Sequence, residues 1–461
     1  MISISIANRL PELGRPSAAY LPSLYEKKLG YYFMRSVRRQ ARILNDSVAN
    51  TYLTTMGQNL VVHSNEPTRH FEFFIVKSSA INAFAGPNGY IGVNAGLILI
   101  TQTPSELAAV LAHEISHVTQ HHLSRGMASS HHRALPTLAA VLAAAVLTGG
   151  AAIPAIITGA MAYNAEAILH FTRLHEKEAD AMGLKLLANA GYNPKAMALF
   201  FERLKNANQY NKVEIPTFLR THPLSEHRMA EVMNRANQLK TPKGEINLLE
   251  YSLVKARLLA DTSQDPILLI RSAKSRFLND TQKPKNQSIV YAYILSLIKI
   301  NHFTQALSLL KNLEKANPLE AIYPLTLASV YRLQGKSKDM ITTLSHLYRK
   351  NSDYYPVVEQ YSASLLTLNT RANSKKSYKI LKRYQRQGVK SAATYMLMAK
   401  ATAQLKQSVQ SDIYRVYAYG ELGEFKRALR IIKIAKSKRP ISARNQMELN
   451  RLKEKFKWFS L

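Results

Sequence analysis

The sequence predicts a mainly α-helical protein with one small β-sheet, an α+β domain over residues 1–245 followed by an all-α repeat domain over residues 246–461. Three observations predict it. Apolar residues recur at three and four spacing through most of the chain, a β-like pattern occupies only two stretches between residues 70 and 96, and a helix-pair pattern recurs in the second half. A chain of 461 residues with 46% hydrophobic content has enough material for two or three domains with cores of their own.

Residues 1 to about 65 read as polar amphipathic helices, ending in "SVANTYLTTMGQNLVVHS". The period then changes. "HFEFFIVKSS" and "INAFAGPNGYIGVNAG" are β-rich, and Asn88-Gly89 between short apolar runs predicts a hairpin turn. Helical spacing returns at "TPSELAAV", where Pro104 suits the first helical position and Thr103 or Ser105 can cap. A further helix runs from about Asn164 through "HEKEADAMGLKLLANAG", stopping at Gly191 with Pro194 beyond. The polar linker "KTPKGEIN" separates the two predicted domains.

In the second half, Ala306 precedes Pro318 by twelve residues and Ala428 precedes Pro440 by twelve, each with a phenylalanine three positions earlier, Phe303 and Phe425. This pattern resembles the tetratricopeptide repeat, in which small residues let two antiparallel helices approach and proline ends the second. "LTLASVYRLQGKSKDMITTLSHLYRKNS" between them fits more loosely.

With 62 Lys and Arg against 30 Asp and Glu, a formal +32, anionic partners must be considered, an anionic membrane surface among them. No zinc-knuckle, RNP or helix-turn-helix signature accompanies the charge, so nucleic acid is not expected as a partner. Absence of cysteine excludes disulfides and thiolate metal sites, leaving His, Asp and Glu as metal ligands. The apolar stretch 134–162 is long enough to span a membrane. It is mostly alanine and is broken by Gly149, Gly150 and Pro154, so two short helices packed on the protein are expected instead.

The chemistry concentrates in "LAAVLAHEISHVTQHHLSR". His113, Glu114 and His117 form H-E-x-x-H within a helical pattern, which sets two imidazoles one turn apart on one face, able to reach a single zinc. His121 continues the four-residue series, but eight residues of helix rise about 12 Å. Ligands of one zinc lie within roughly 4 Å of each other. His121 is therefore excluded, and His122 falls off the ligand face. A third histidine at the metzincin spacing is also missing, since Gln120 and Leu123 stand there.

The third ligand must come from elsewhere, and "HEKEADAMG" offers Glu176 or Glu178 about sixty residues downstream. Asp180 decides between them. It lies one turn from Glu176 and can accept from the second ring nitrogen of a ligand histidine, whereas Glu178 points about 200° away around the helix. Glu176 is therefore read as the ligand and Asp180 as its neighbour at the site. Such a set, holding one zinc per chain, leaves the fourth position for water, with Glu114 as general base, and implies peptide-bond hydrolysis. "THPLSEHR" supplies His222 and Arg228 as candidate donors to the developing carbonyl charge. His222 can instead occupy the fourth position of a resting site.

"ELAAVLAHEISHVTQHHL", "HEKEADAMG", "NAFAGPNGYIGVNAGL" and "THPLSEHR" together resemble the gluzincin family that includes the CAAX prenyl proteases and the mitochondrial Oma-type proteases. With the repeat half added, the chain resembles a bacterial branch of that family, periplasmic enzymes of outer-membrane quality control. The resemblance implies zinc on His113, His117 and Glu176, Glu114 as base and His222 as gate or ligand. It implies that Gly89, Tyr90, Ile91, Gly92, Val93 and Asn94 form an edge strand pairing with extended substrate. It implies as clients unfolded or misassembled outer-membrane proteins, and contact with the outer-membrane assembly machinery through the repeats. One departure stands out: "MISISIANRLPELGRPSAAY" has no apolar run of useful length, so the signal peptide of a periplasmic member is not read in it.

Two other function classes compete with a zinc endopeptidase. One is a chaperone or scaffold for outer-membrane protein assembly whose repeats do the work while the protease site is latent. The other is a binder of anionic surfaces or nucleic acid, which rests on charge alone.

Overall fold

A computed structural model describes residues 23–123, 135–148, 173–210, 216–282, 286–388, 391–438 and 441–460. Helices α1 (Ser23–Gln40) and α2 (Ser47–Val62) come first. Asp46 caps α2, accepting from the Ala49 N–H at 3.0 Å. The expected start of the later helix at Asn164, and residues 149–162 of the apolar stretch, lie outside the described residues.

Three strands follow, β1 (Glu72–Val76), β2 (Ala83–Gly86) and β3 (Tyr90–Asn94), in the order β1-β3-β2. The β2–β3 turn holds Asn88 at φ 61° and Gly89 at φ 75°, the left-handed pair that an Asn-Gly hairpin uses. A side chain on Gly89 would strike the His70 carbonyl, so glycine is required there.

The expectation of an edge strand at residues 89–94 is corrected here. β3 lies in the middle, parallel to β1 with Phe74 opposite Gly92 and antiparallel to β2 with Phe84 opposite Gly92. The physical reason is burial: all five β3 residues are buried, and Gly92 leaves the room that the rings of Phe74 and Phe84 fill from either side. A strand without apolar–polar alternation has both of its faces covered. On the far side of β1, Leu44 N–H donates to Ile75 O and Lys77 N–H to Arg42 O. Among the described residues, β2 is the edge.

Next come α3 (Ala95–Ile100) and α4 (Pro104–Thr119). Thr103 caps α4, accepting from the Glu106 N–H, and Glu106 accepts from the Gln102 N–H just ahead of the cap, which together fix where α4 begins. Every residue of α4 from Pro104 to Val118 is buried. Helix α5 (Leu135–Thr148) packs on α1, and its Leu142 and Ala143 share one buried cluster with Phe33 and Met34. None of the described helices is long and apolar enough to cross a membrane.

Helix α6 (Arg173–Asn189) lies against α4, and Gly191 at φ 82° turns the chain out of it. Helices α7 (Lys195–Tyr210), α8 (Thr217–Thr221) and α9 (Glu226–Asn237) close over the same region.

Twelve described helices make up the rest, from α10 (Leu248–Thr262) to α21 (Ala443–Ser460), most of them packed on their sequence neighbours. Within them, α12 (Gln287–Lys299) pairs with α13 (Phe303–Ala316), and α19 (Ser408–Glu421) with α20 (Phe425–Ser437). Ala306 and Ala428 are fully buried where these helices meet, as the repeat pattern requires.

The expected boundary at 245/246 falls in the loop between α9 and α10, while the apolar core continues across it. Arg257 on α10 pairs with Asp46 at 2.7 Å, and Tyr251 bonds Thr101 at 2.7 Å. At the other end of the array, Tyr31 on α1 meets Phe425 and Phe459, so the last helices return to the first.

Candidate metal centre

Three ionisable side chains, His113, Glu114 and His117, sit in the middle of α4 among leucine, alanine and valine. Burial of such groups is costly unless partners compensate. Helix α6 supplies Glu176 and Asp180, the α8–α9 turn supplies His222 and the first turn of α9 supplies Arg228, all buried. Four side chains, His113, His117, Glu176 and His222, bring one donor atom each within 4.8 Å of one another.

The donor atoms point inward. His113 Nε2 and His117 Nε2 face each other at 3.0 Å, and His222 Nδ1 lies 3.3 Å from His113 Nε2 and 3.0 Å from Glu176 Oε1. Glu176 Oε1 is 3.4 Å from His117 Nε2. His113 turns Nδ1 to Asp180 at 3.0 Å, and His117 turns Nδ1 to His122 at 2.7 Å. With their Nδ1 positions engaged, the two neutral rings would present lone pairs to each other, an arrangement that a cation between them makes favourable. The donors are nitrogen and carboxylate oxygen, a set that suits zinc or another divalent transition metal.

Charges agree with this. Burial opposes ionisation of His113, yet Asp180 and Glu176 beside it raise its pKa to about 9, so in the metal-free protein a proton does the work of a cation. Burial holds His117 down to about 3, a neutral ring with a lone pair to give. For Glu176, burial works upward, but His222, His113 and His117 keep its carboxyl well below the ordinary range. Asp180 is likewise held low against burial, by Arg228 and His113.

Glu114 differs from these carboxylates. Burial raises its pKa, against the pull of His222 and His113. Its Oε1 has no hydrogen-bond partner among the described residues, and His222 Nε2 stands 3.4 Å away. The Ala85 N–H, on the outer side of β2, donates to the same carboxylate. Glu114 thus lies between the edge strand and the donor cluster, a carboxyl whose raised pKa makes it a stronger base than an exposed glutamate.

Arg228 is not placed as the sequence suggested. A donor to developing carbonyl charge must face the substrate, but its guanidinium grips Asp180 at 2.6 and 2.9 Å and reaches Glu176 at 2.7 Å. It also donates to Pro223 O at 3.0 Å and stacks on Phe201. Those donors are engaged with the carboxylates of α6, so Arg228 supports them from behind. His222 places Nδ1 among the donor atoms and Nε2 3.4 Å from Glu114.

Three residues escaped sequence reasoning. His122 and Glu178, set aside as off the ligand face, meet at 3.0 Å beside His117. The left-handed φ of 55° at His121 is what turns His122 back, and nothing in the letters "QHH" announces it. Ala85 acts through its backbone, which no side-chain motif reports.

Comparison with known proteins accords with this geometry. Residues 47–236 match peptidase family M48. Over 461 residues the chain is 29% identical to the beta-barrel assembly-enhancing protease of Escherichia coli (strain K12), covering 98% of this chain and 93% of that protein. It is 35% identical over 319 residues to a putative beta-barrel assembly-enhancing protease of Vibrio cholerae, covering 68% of this chain and 65% of that one. The mitochondrial metalloendopeptidase OMA1 of Schizosaccharomyces pombe is 27% identical over 181 residues, covering 39% of this chain and 51% of its own length.

Proposed function

We propose that this chain, which belongs to peptidase family M48, is a zinc endopeptidase of the periplasm that removes misfolded or stalled outer-membrane proteins. The observation that carries the reading is the convergence of two helix-borne imidazoles and a distal glutamate within reach of one ion, beside a carboxyl of raised pKa. His113, His117 and Glu176 would hold one zinc per chain. When bound, zinc supplies Lewis acidity toward water and the scissile carbonyl.

The chain's own residues do the rest. Glu114 takes a proton from the attacking water and delivers it to the leaving amine, which its burial-raised pKa favours. Asp180, fixed by Arg228, orients His113. Substrate would pair in extended form along β2, whose outer edge adjoins Glu114 through Ala85. The slot there, lined by Phe84, Ala85, Leu142 and His222, has a volume of about 20 Å³. That is room for about one water. A substrate side chain does not fit, so we read His222 as the closing group of a resting state, which swings away to admit substrate.

Similarity to the assembly-enhancing proteases along nearly the whole chain supports outer-membrane proteins as clients and a role for the repeats in holding a client or the assembly machinery. Charge adds an anionic membrane surface as a partner: residues 246–461 carry 38 Lys and Arg against 14 Asp and Glu. In cells, Glu114→Gln should accumulate uncleaved, unassembled outer-membrane proteins bound to the periplasmic chain. Their normal turnover in that variant would refute the client assignment. The closed position of His222 favours a second reading, a scaffold with a latent site, and full rescue of an envelope defect by Glu114→Gln would select it.

A further inference from the structure

We infer that His122 and Glu178 are positioning residues for the metal, a two-member relay that fixes the ring orientation and tautomer of His117. This rests on the reading of His117 as a ligand through Nε2. The contacts are His117 Nδ1 to His122 Nδ1 at 2.7 Å and His122 Nε2 to Glu178 Oε2 at 3.0 Å. A carboxylate only accepts, so Glu178 requires the hydrogen of His122 on Nε2. The neutral ring then accepts at Nδ1, His117 must donate from its own Nδ1, and its Nε2 is left with a lone pair aimed at the donor cluster. The polarity of the whole chain is set from the carboxylate end.

Local structure is built for this. On a continuous helix a residue five positions after His117 would point about 140° away from it. Helix α4 instead stops at Thr119, and His121 at φ 55° folds the chain back. His121 is itself held by Glu66 at 3.1 Å. His122 is 2% exposed and stacks on His175, with centroids 4.3 Å apart and planes 16° from parallel, which fixes its ring plane. Helix α6 therefore serves both α4 imidazoles, His113 directly through Asp180 and His117 through His122 from Glu178. Partners of this kind typically change metal affinity by about 10–100-fold when lost.

The test measures zinc affinity of the full chain by competition with a chromophoric chelator. His122→Phe keeps a planar ring but removes the acceptor, and should weaken binding on the order of 10–100-fold. Glu178→Ala should weaken it roughly 10-fold, and Glu178→Gln, which retains an acceptor oxygen, should stay within about threefold of wild type. Because the members act in series, the double variant His122→Phe/Glu178→Ala should bind no more weakly than His122→Phe alone. Should His122→Phe fail to fold, the two Glu178 variants decide, since that side chain is 35% exposed. Wild-type affinity in Glu178→Ala, or equal weakening by Ala and Gln, would overturn the relay. With His117→Ala losing zinc as a control, such a result leaves the proposed ligand set standing. If His117→Ala binds zinc normally, the ligand set and the relay are both overturned.

Discussion

Removal of Arg228 should expose how tightly the charges of the site are balanced. In the metal-free protein Asp180 and Glu176 are offset by Arg228 and by a protonated His113, four buried groups with no net charge. Arg228→Met keeps the length of the side chain and its packing on Phe201 but deletes contacts of 2.6, 2.9 and 2.7 Å to the two carboxylates. Breaking one partner out of a buried pair costs about 3–5 kcal/mol, because a desolvated charge remains. With a urea slope near 3 kcal/mol per molar, the unfolding midpoint should fall by roughly 1–2 M at pH 7. The difference should also depend on pH. Both carboxyls have folded pKa values below their unfolded ones, so their stabilisation is complete above roughly pH 4 and fades as pH falls through the folded values. Wild type and Arg228→Met should therefore converge in acid. A midpoint shift equivalent to less than about 1 kcal/mol at pH 7 would mean that the pair is solvated and would refute this account of the site.

Further expectations concern the proton, the gate and the edge. His113 has a folded pKa of about 9, above its unfolded value, so its contribution is full below roughly pH 6.5 and lost as pH rises through 9. Thermal unfolding of the metal-free chain should accordingly decline across that window, while the zinc-loaded chain, in which the ion replaces the proton, should not. His222→Ala should raise cleavage of an unfolded protein roughly tenfold if closing the site is worth ~1.4 kcal/mol, and an unchanged or lower rate would remove His222 as the gate. Ala85→Pro deletes the N–H that serves Glu114 and should lower cleavage on the order of 100-fold with zinc content unchanged. Wild-type cleavage in that variant would mean that the Ala85 N–H does not serve Glu114.

Much of the donor cluster was legible because helical geometry is local. H-E-x-x-H fixes two imidazoles on one face, and the four-residue step from Glu176 to Asp180 is as regular as the helix that carries it. The Asn88-Gly89 turn and the buried Ala306 and Ala428 were legible for the same reason, as was the Thr103 cap of α4. Sheet order was not. Whether β3 lies at the edge depends on parallel pairing with β1 and on Phe74 and Phe84 meeting over Gly92, contacts that no single stretch encodes. Arg228 was misjudged because a cation five residues after Pro223 looks available until the carboxylates of another helix are known to enclose it.

The central claim is that Glu114 moves the proton in a zinc-dependent cleavage, and one measurement addresses it most directly. Purified Glu114→Gln should retain about one zinc per chain by elemental analysis, as its ligands are untouched. Its cleavage of an unfolded protein should fall by roughly 100- to 10,000-fold, the range associated with loss of a general base. Wild-type cleavage by zinc-loaded Glu114→Gln would contradict the account.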